Sequence, residues 1–185
     1  MRAGWPYRAL KAAVLGDTAT ARRDLSHLLD RYAHDRALLG AAPQAIRAFL
    51  FASAGAWDSV PPLLAPAFAA GWAWPHMVSP FAGIGLDIGD LARALLGRAY
   101  ERLGQPDSAV AVYEYLAAPH RTPLPYSFAH QRLAVLYATL GRLDDARRHY
   151  RVFTETFTGP DAEVAHLLDE ARTALEVADG KARGR

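Results

Sequence analysis

One stretch, Leu133 to Phe153, constrains the fold more than any bulk property of the chain. It reads LAVLYATLGRLDDARRHYRVF. Leu133, Leu136, Tyr137 and Leu140 fall at i, i+3, i+4 and i+7, so they share one face of a helix. Gly141 supplies a stop. Asp144 and Asp145 open the next helix, where negative charge suits the positive end of the dipole. Ala146, Tyr150, Phe153 and Phe157 form its apolar stripe. The unit is therefore two short antiparallel helices joined by a tight turn, each with one face to bury. The unit also recurs. Moving back from Leu133 to Leu96, a shift of 37 residues, gives LGRAYERLGQPDSAVAVYEYL. Leu96, Tyr100, Leu103, Gly104, Asp107, Ala109 and Tyr113 match Leu133, Tyr137, Leu140, Gly141, Asp144, Ala146 and Tyr150 identically. The matches are what a helix hairpin needs: a small Ala for close approach, aromatics to fill the gap and Gly for the turn.

This pattern resembles the tetratricopeptide repeat, a helix–turn–helix unit of about 34 residues. The family's small-residue, Tyr, Gly, Ala and Tyr/Phe positions are met by Gly97/Ala134, Tyr100/Tyr137, Gly104/Gly141, Ala109/Ala146 and Tyr113/Tyr150. The family's closing Pro is displaced, with Pro123 and Pro160 slightly late. The resemblance implies an all-α solenoid of about four units closed by a capping helix, in a single repeat domain spanning 1–178.

The rest of the chain fits that plan in outline. Residues 5–34 form a degenerate first unit, with Gly16 at the turn and Asp17 or Thr18 as cap of the next helix. Residues 42–70 form a second, with Gly55 at the turn; Pro61 and Pro62 are tolerable only in a first helical turn, and Pro66 should kink or delay that helix. Units 87–117 and 124–158 are the two clear copies, and Asp90 reads as a helix N-cap. Asp161 to Ala178 has the single apolar side of a capping helix, and 179–185 is a basic tail expected to be disordered. The turn glycines at 16, 55, 104 and 141 are separated by 39, 49 and 37 residues. The surplus in the middle gap lies in Ser59 to Leu86, which carries no Asp, Glu, Lys or Arg. Its 71–86 portion is an aromatic insert. The run is long enough to span a membrane, but Pro61, Pro62, Pro66, Pro75 and Pro80 argue against a continuous spanning helix. A buried helix plus loop, or an apolar docking patch of Trp72, Trp74, Met77 and Phe81, are the readings left.

Composition narrows the function classes. With no Cys, disulfides and thiolate metal sites are excluded. A net charge of +2 in 185 residues gives no argument for nucleic acid. Arg2 is followed by Gly4, Trp5 and Pro6 rather than an apolar run, so no secretory signal is read and a cytoplasmic location is the expectation. Glu163-x-x-His166 has the spacing of half a di-metal site, but no second copy exists. Arg147, Arg148, His149 and Arg151 could meet phosphate or an acidic peptide, or simply form a solvated helix face. His120, His130 and His149 have no nucleophile spacing around them, and no phosphate-cradling Gly loop, Gly-x-Ser-x-Gly or His-Glu-x-x-His is present. Asp87 and Asp90 lack the rest of a calcium loop. No catalytic residue, cofactor or metal is therefore expected.

If the units stack as the resemblance implies, their first helices line a concave groove. The groove-facing positions would be Phe49, Ser53, Arg98, Glu101, Arg102, Gln131, Val135 and Thr139. The Lys and Asn set with which some family members grip a terminal carboxylate is missing, since the chain has no Asn. The expected function is a non-catalytic scaffold that takes a partner peptide or helix. The layout is similar to the repeat-bearing C-terminal regions of bacterial signalling and transcription-regulator proteins. The alternatives are a small-ligand binder or helical enzyme using Trp72–Phe81, or a homodimer built through that run.

Overall fold

The computed structural model describes residues 5–71, 88–119, 123–156 and 162–183. All secondary structure among them is helical. The chain divides into two compact units, Met1–Gln105 and Pro106–Arg185.

The first unit holds α1 (Trp5–Val14), α2 (Thr18–Arg31), α3 (Ala42–Ser53), α4 (Val60–Ala69) and α5 (Ile88–Arg102), with 3-10 turns at Arg36–Leu39 and Trp57–Ser59. α1 packs on α2 and α3; α4 packs on α3 and α5. Leu10, Leu28, Ile46, Val60 and Leu64 are fully buried at its centre. Asp17 caps α2, its carboxylate accepting from the Thr20 N–H at 3.1 Å. Pro61 and Pro62 lie in the first turn of α4, where their missing N–H groups cost nothing. α4 runs on through Pro66. Among the buried acids of this unit, Asp24 is 0% exposed and accepts a forked pair of hydrogen bonds from Arg8, across α1 and α2, with Arg23 at 3.6 Å. The Arg8 fork holds its carboxyl below the usual range.

The second unit holds α6 (Pro106–Leu116), α7 (Pro123–Thr139), α8 (Leu143–Thr156) and α9 (Ala162–Arg183). Each packs on the next in order. Tyr113, Leu116, Leu133 and Ala134 are fully buried, with Phe153 and Ala171 nearly so. Leu140 departs from its expected stripe and is 37% exposed. It lies in the turn just after α7 ends, where the next helix does not cover it. Asp90 also departs: it sits inside the first turn of α5 rather than capping it. α9 continues past Ala178 and through Gly180 to Arg183.

The repetition seen in the sequence is repeated in the backbone. At Gly141, Leu140 N–H donates to Leu136, Gly141 N–H to Ala138 and Arg142 N–H to Tyr137, at 2.9, 3.1 and 2.8 Å. The same three bonds close the turns at Gly16, Gly55 and Gly104. This is a Schellman-type end, which requires a left-handed residue. Gly104 and Gly141 supply it with φ of +67° and +74°.

Candidate functional site

In the first unit, α5 presents Arg98 and Arg102 one turn apart, both exposed. The Arg102 guanidinium lies 5.6 Å from the centre of the Trp57 ring, a cation–π arrangement. Arg98 has no ion pair or hydrogen bond among the described residues. Glu101, between them, is half-buried. α3 packs directly against α5. On α3, Phe49 is half-buried and Ser53 is exposed, its hydroxyl donating to the Phe49 carbonyl at 2.9 Å. The predicted positions Phe49, Ser53, Arg98, Glu101 and Arg102 thus belong to two helices in contact.

In the second unit the predicted positions Gln131, Val135 and Thr139 all lie on α7. Thr139 is exposed and donates to the Val135 carbonyl at 2.9 Å; Val135 is half-buried. Gln131 is 8% exposed, so it belongs to the interior of its unit. Trp72, Trp74, Met77 and Phe81 lie outside the described residues.

The second unit also contains a polar cluster that spacing did not suggest. His130 on α7 and His149 on α8 are 6% and 4% exposed, and their Nδ1 atoms lie 2.8 Å apart. His149 therefore leaves the expected solvated Arg face of α8 and turns inward. Two facing ring nitrogens at that distance share one hydrogen, so one Nδ1 donates and the other accepts. The Glu114 carboxylate on α6 sits 3.6 Å from His149 Nε2. Glu114 accepts from the Tyr137 hydroxyl at 2.6 Å, and the Tyr126 ring meets His130 edge-on with centres 4.5 Å apart. Both Nε2 atoms are buried without a hydrogen bond of ordinary geometry. Burial, reinforced by the facing His149, pushes His130 down to about 4. Burial also lowers His149, and burial and then the bond to Glu114 push the Tyr137 phenol up to about 12.

At neutral pH this cluster is a neutral imidazole pair flanked by one carboxylate. It ties α6, α7 and α8 through the His130–His149 and Tyr137–Glu114 hydrogen bonds. Among the described residues no group of three or more ligating side chains is placed to hold a metal ion. On α8, Arg147 is half-buried and Arg148 exposed, paired with Asp144 and Asp145 at 3.3 and 3.0 Å. His166 is exposed on α9. No described helix is long and apolar enough to cross a membrane.

Residues 92–114 match the tetratricopeptide repeat family model. The match begins inside α5, passes through the Gly104 turn and ends in α6. No curated protein matches the chain significantly.

Proposed function

We propose, on the premise that this chain carries tetratricopeptide repeats in an all-helical repeat fold, that it is a non-catalytic interaction module. Such repeats in general mediate contacts between proteins. The ligand in this reading is a peptide or helix of a partner protein, received on the face that α3 and α5 present. One observation carries it: Arg98 and Arg102 stand exposed one turn apart on α5, beside Phe49 and Ser53 of the helix packed against it. Two cations there favour a segment with carboxylates at matching spacing, because Arg offers a planar fork to each. The partner then supplies the output, as an adaptor in bacterial signalling or transcription control would require, and no cofactor takes part. A cytoplasmic setting suits this role.

The test is affinity capture with the full chain, compared with an Arg98→Glu/Arg102→Glu variant of unchanged circular dichroism. One protein captured by the native chain and lost by the variant supports this face. Capture unaffected by the reversal removes it.

A further inference from the structure

A second groove lies between α2 and α3, with a volume of about 540 Å³. Its walls share one pattern. α2 contributes Arg22, Leu25, Ser26 and Leu29; α3 contributes Arg47, Leu50 and Phe51, with Ala54 and Ala56 just past its end. In both, an arginine stands at i, a leucine at i+3, and further lining residues at i+4 and i+7. Each wall is thus a two-turn ridge, about 10 Å long at 1.5 Å per residue. The floor is apolar: Leu25 and Leu50 are nearly buried, while Phe51 is 41% exposed at the margin. None of the lining residues is acidic. Arg22 and Arg47 are exposed and have no ion pair among the described residues. Asp24 on α2 is buried against Arg8, and Asp30 near the end of that helix is exposed.

We infer that this groove is a docking site for an acidic amphipathic helix of a partner protein. Two parallel ridges at helical pitch leave a furrow into which the side chains of a third helix interdigitate. Apolar anchors at i, i+3 or i+4 and i+7 of the guest match a floor two turns long. The lining charges are all positive, so carboxylates on the guest's margins meet Arg22 and Arg47, and a guest with basic margins is repelled. The occupant rests on the reading of the chain as an interaction module. The site is separate from the Arg98–Arg102 face and requires none of its residues.

The experiment uses the full chain and two fluorescein-labelled amphipathic peptides of about 16 residues, with leucines at i, i+3, i+4 and i+7. One has Glu along both margins and the other has Lys. Fluorescence anisotropy should show the Glu peptide binding at least ~10-fold more tightly than the Lys peptide. Arg22→Glu/Arg47→Glu should reverse that order. Phe51→Ala, at a position 41% exposed and with circular dichroism to check the fold, should weaken the Glu peptide by roughly 10-fold. Arg98→Glu/Arg102→Glu should leave it unchanged. Equal binding of the two peptides overturns the inference, as does indifference to reversal at Arg22 and Arg47. So does binding of dodecanoate but not the Glu peptide, which makes the groove an acyl site. Self-association abolished by the same reversal, without peptide binding, assigns the groove to a second copy instead. If the Glu peptide fails while Arg98- and Arg102-dependent capture persists, the groove is wrong and the module reading stands. If capture fails while the Glu peptide binds as described, the groove stands and the α3/α5 face does not.

Discussion

Replacing His130 by Gln should flatten the dependence of stability on pH between about pH 7.5 and pH 5. His130 is held at about 4 in the folded chain against an ordinary 6.5, chiefly by burial. Between those values the unfolded chain takes up a proton that the folded chain refuses. The stability associated with the neutral ring is therefore complete above pH 6.5 and is lost as pH falls toward 4. Two and a half pH units at about 1.36 kcal/mol each set a ceiling of about 3 kcal/mol, of which about 2 kcal/mol is gone by about pH 5. His149, lowered by burial, adds in the same direction. The groups around the pair do not cancel this. Glu114 opposes it and is included in the value of 4, while Arg148 reinforces it. Asp24 and Asp145 sit below the usual carboxylate range, so their contribution is lost only at more acid pH. Gln in place of His130 offers His149 Nδ1 both a donor and an acceptor and removes one titration. Urea unfolding followed by circular dichroism gives the free energies at each pH, and the Cε1–H resonance of His130 gives its titration directly. The variant's loss between pH 7.5 and 5 should be smaller than the native chain's by about 2 kcal/mol, whatever the variant costs at neutral pH. A native chain with no such loss, or a variant with the same slope, refutes the buried neutral pair.

Two further perturbations follow from the geometry. Arg8→Ala should destabilise the first unit, because the buried Asp24 loses its fork and keeps only Arg23 at 3.6 Å; Arg8→Ala/Asp24→Ala should recover part of this in a double-mutant cycle of urea melts, and strict additivity would count against the pair. Gly141→Ala meets no atom within 4 Å but inherits a φ of +74°, so it should cost about 1–2 kcal/mol in thermal or urea unfolding; a neutral result would mean the turn relaxes out of the left-handed region.

The helix hairpins were legible because what specifies them is local. A left-handed residue must close each turn, so Gly16, Gly55, Gly104 and Gly141 could be read directly, and all four close with the same hydrogen bonds. The cap at Asp17 and the paired prolines opening α4 follow from the same local chemistry. The histidine pair was not legible in that way. His130 sits in the stripe with Ala134 and Tyr137, and His149 in the stripe with Ala146 and Phe153, so burial of each could have been inferred from period alone. Their meeting could not. It depends on how α7 and α8 slide past one another, which is fixed by turn geometry and packing and not by any spacing within one helix. The groove between α2 and α3 was hidden for a similar reason: Arg22 and Arg47 look like unrelated surface charges until two helices are set side by side.

The two clear copies show where individuality enters such a fold. Shifted back by 37 residues, His130 and His149 correspond to Arg93 and Val112. Ala109 and Ala146, the small contact positions, are buried in both copies at 0% and 3%. At the first-helix position, however, Arg93 lies over the Phe68 ring at 4.0 Å in one unit, whereas His130 meets His149 in the other. The hairpin positions are held by backbone geometry and tolerate little. The neighbouring positions are held only by what they touch, and one copy fills its position with a cation on an aromatic face while the other uses a titratable pair. Charge, pH response and partner choice must therefore be sought at the positions where the copies differ. It is there, and on the unmatched helices α2 and α3, that substitutions should change behaviour without changing the fold.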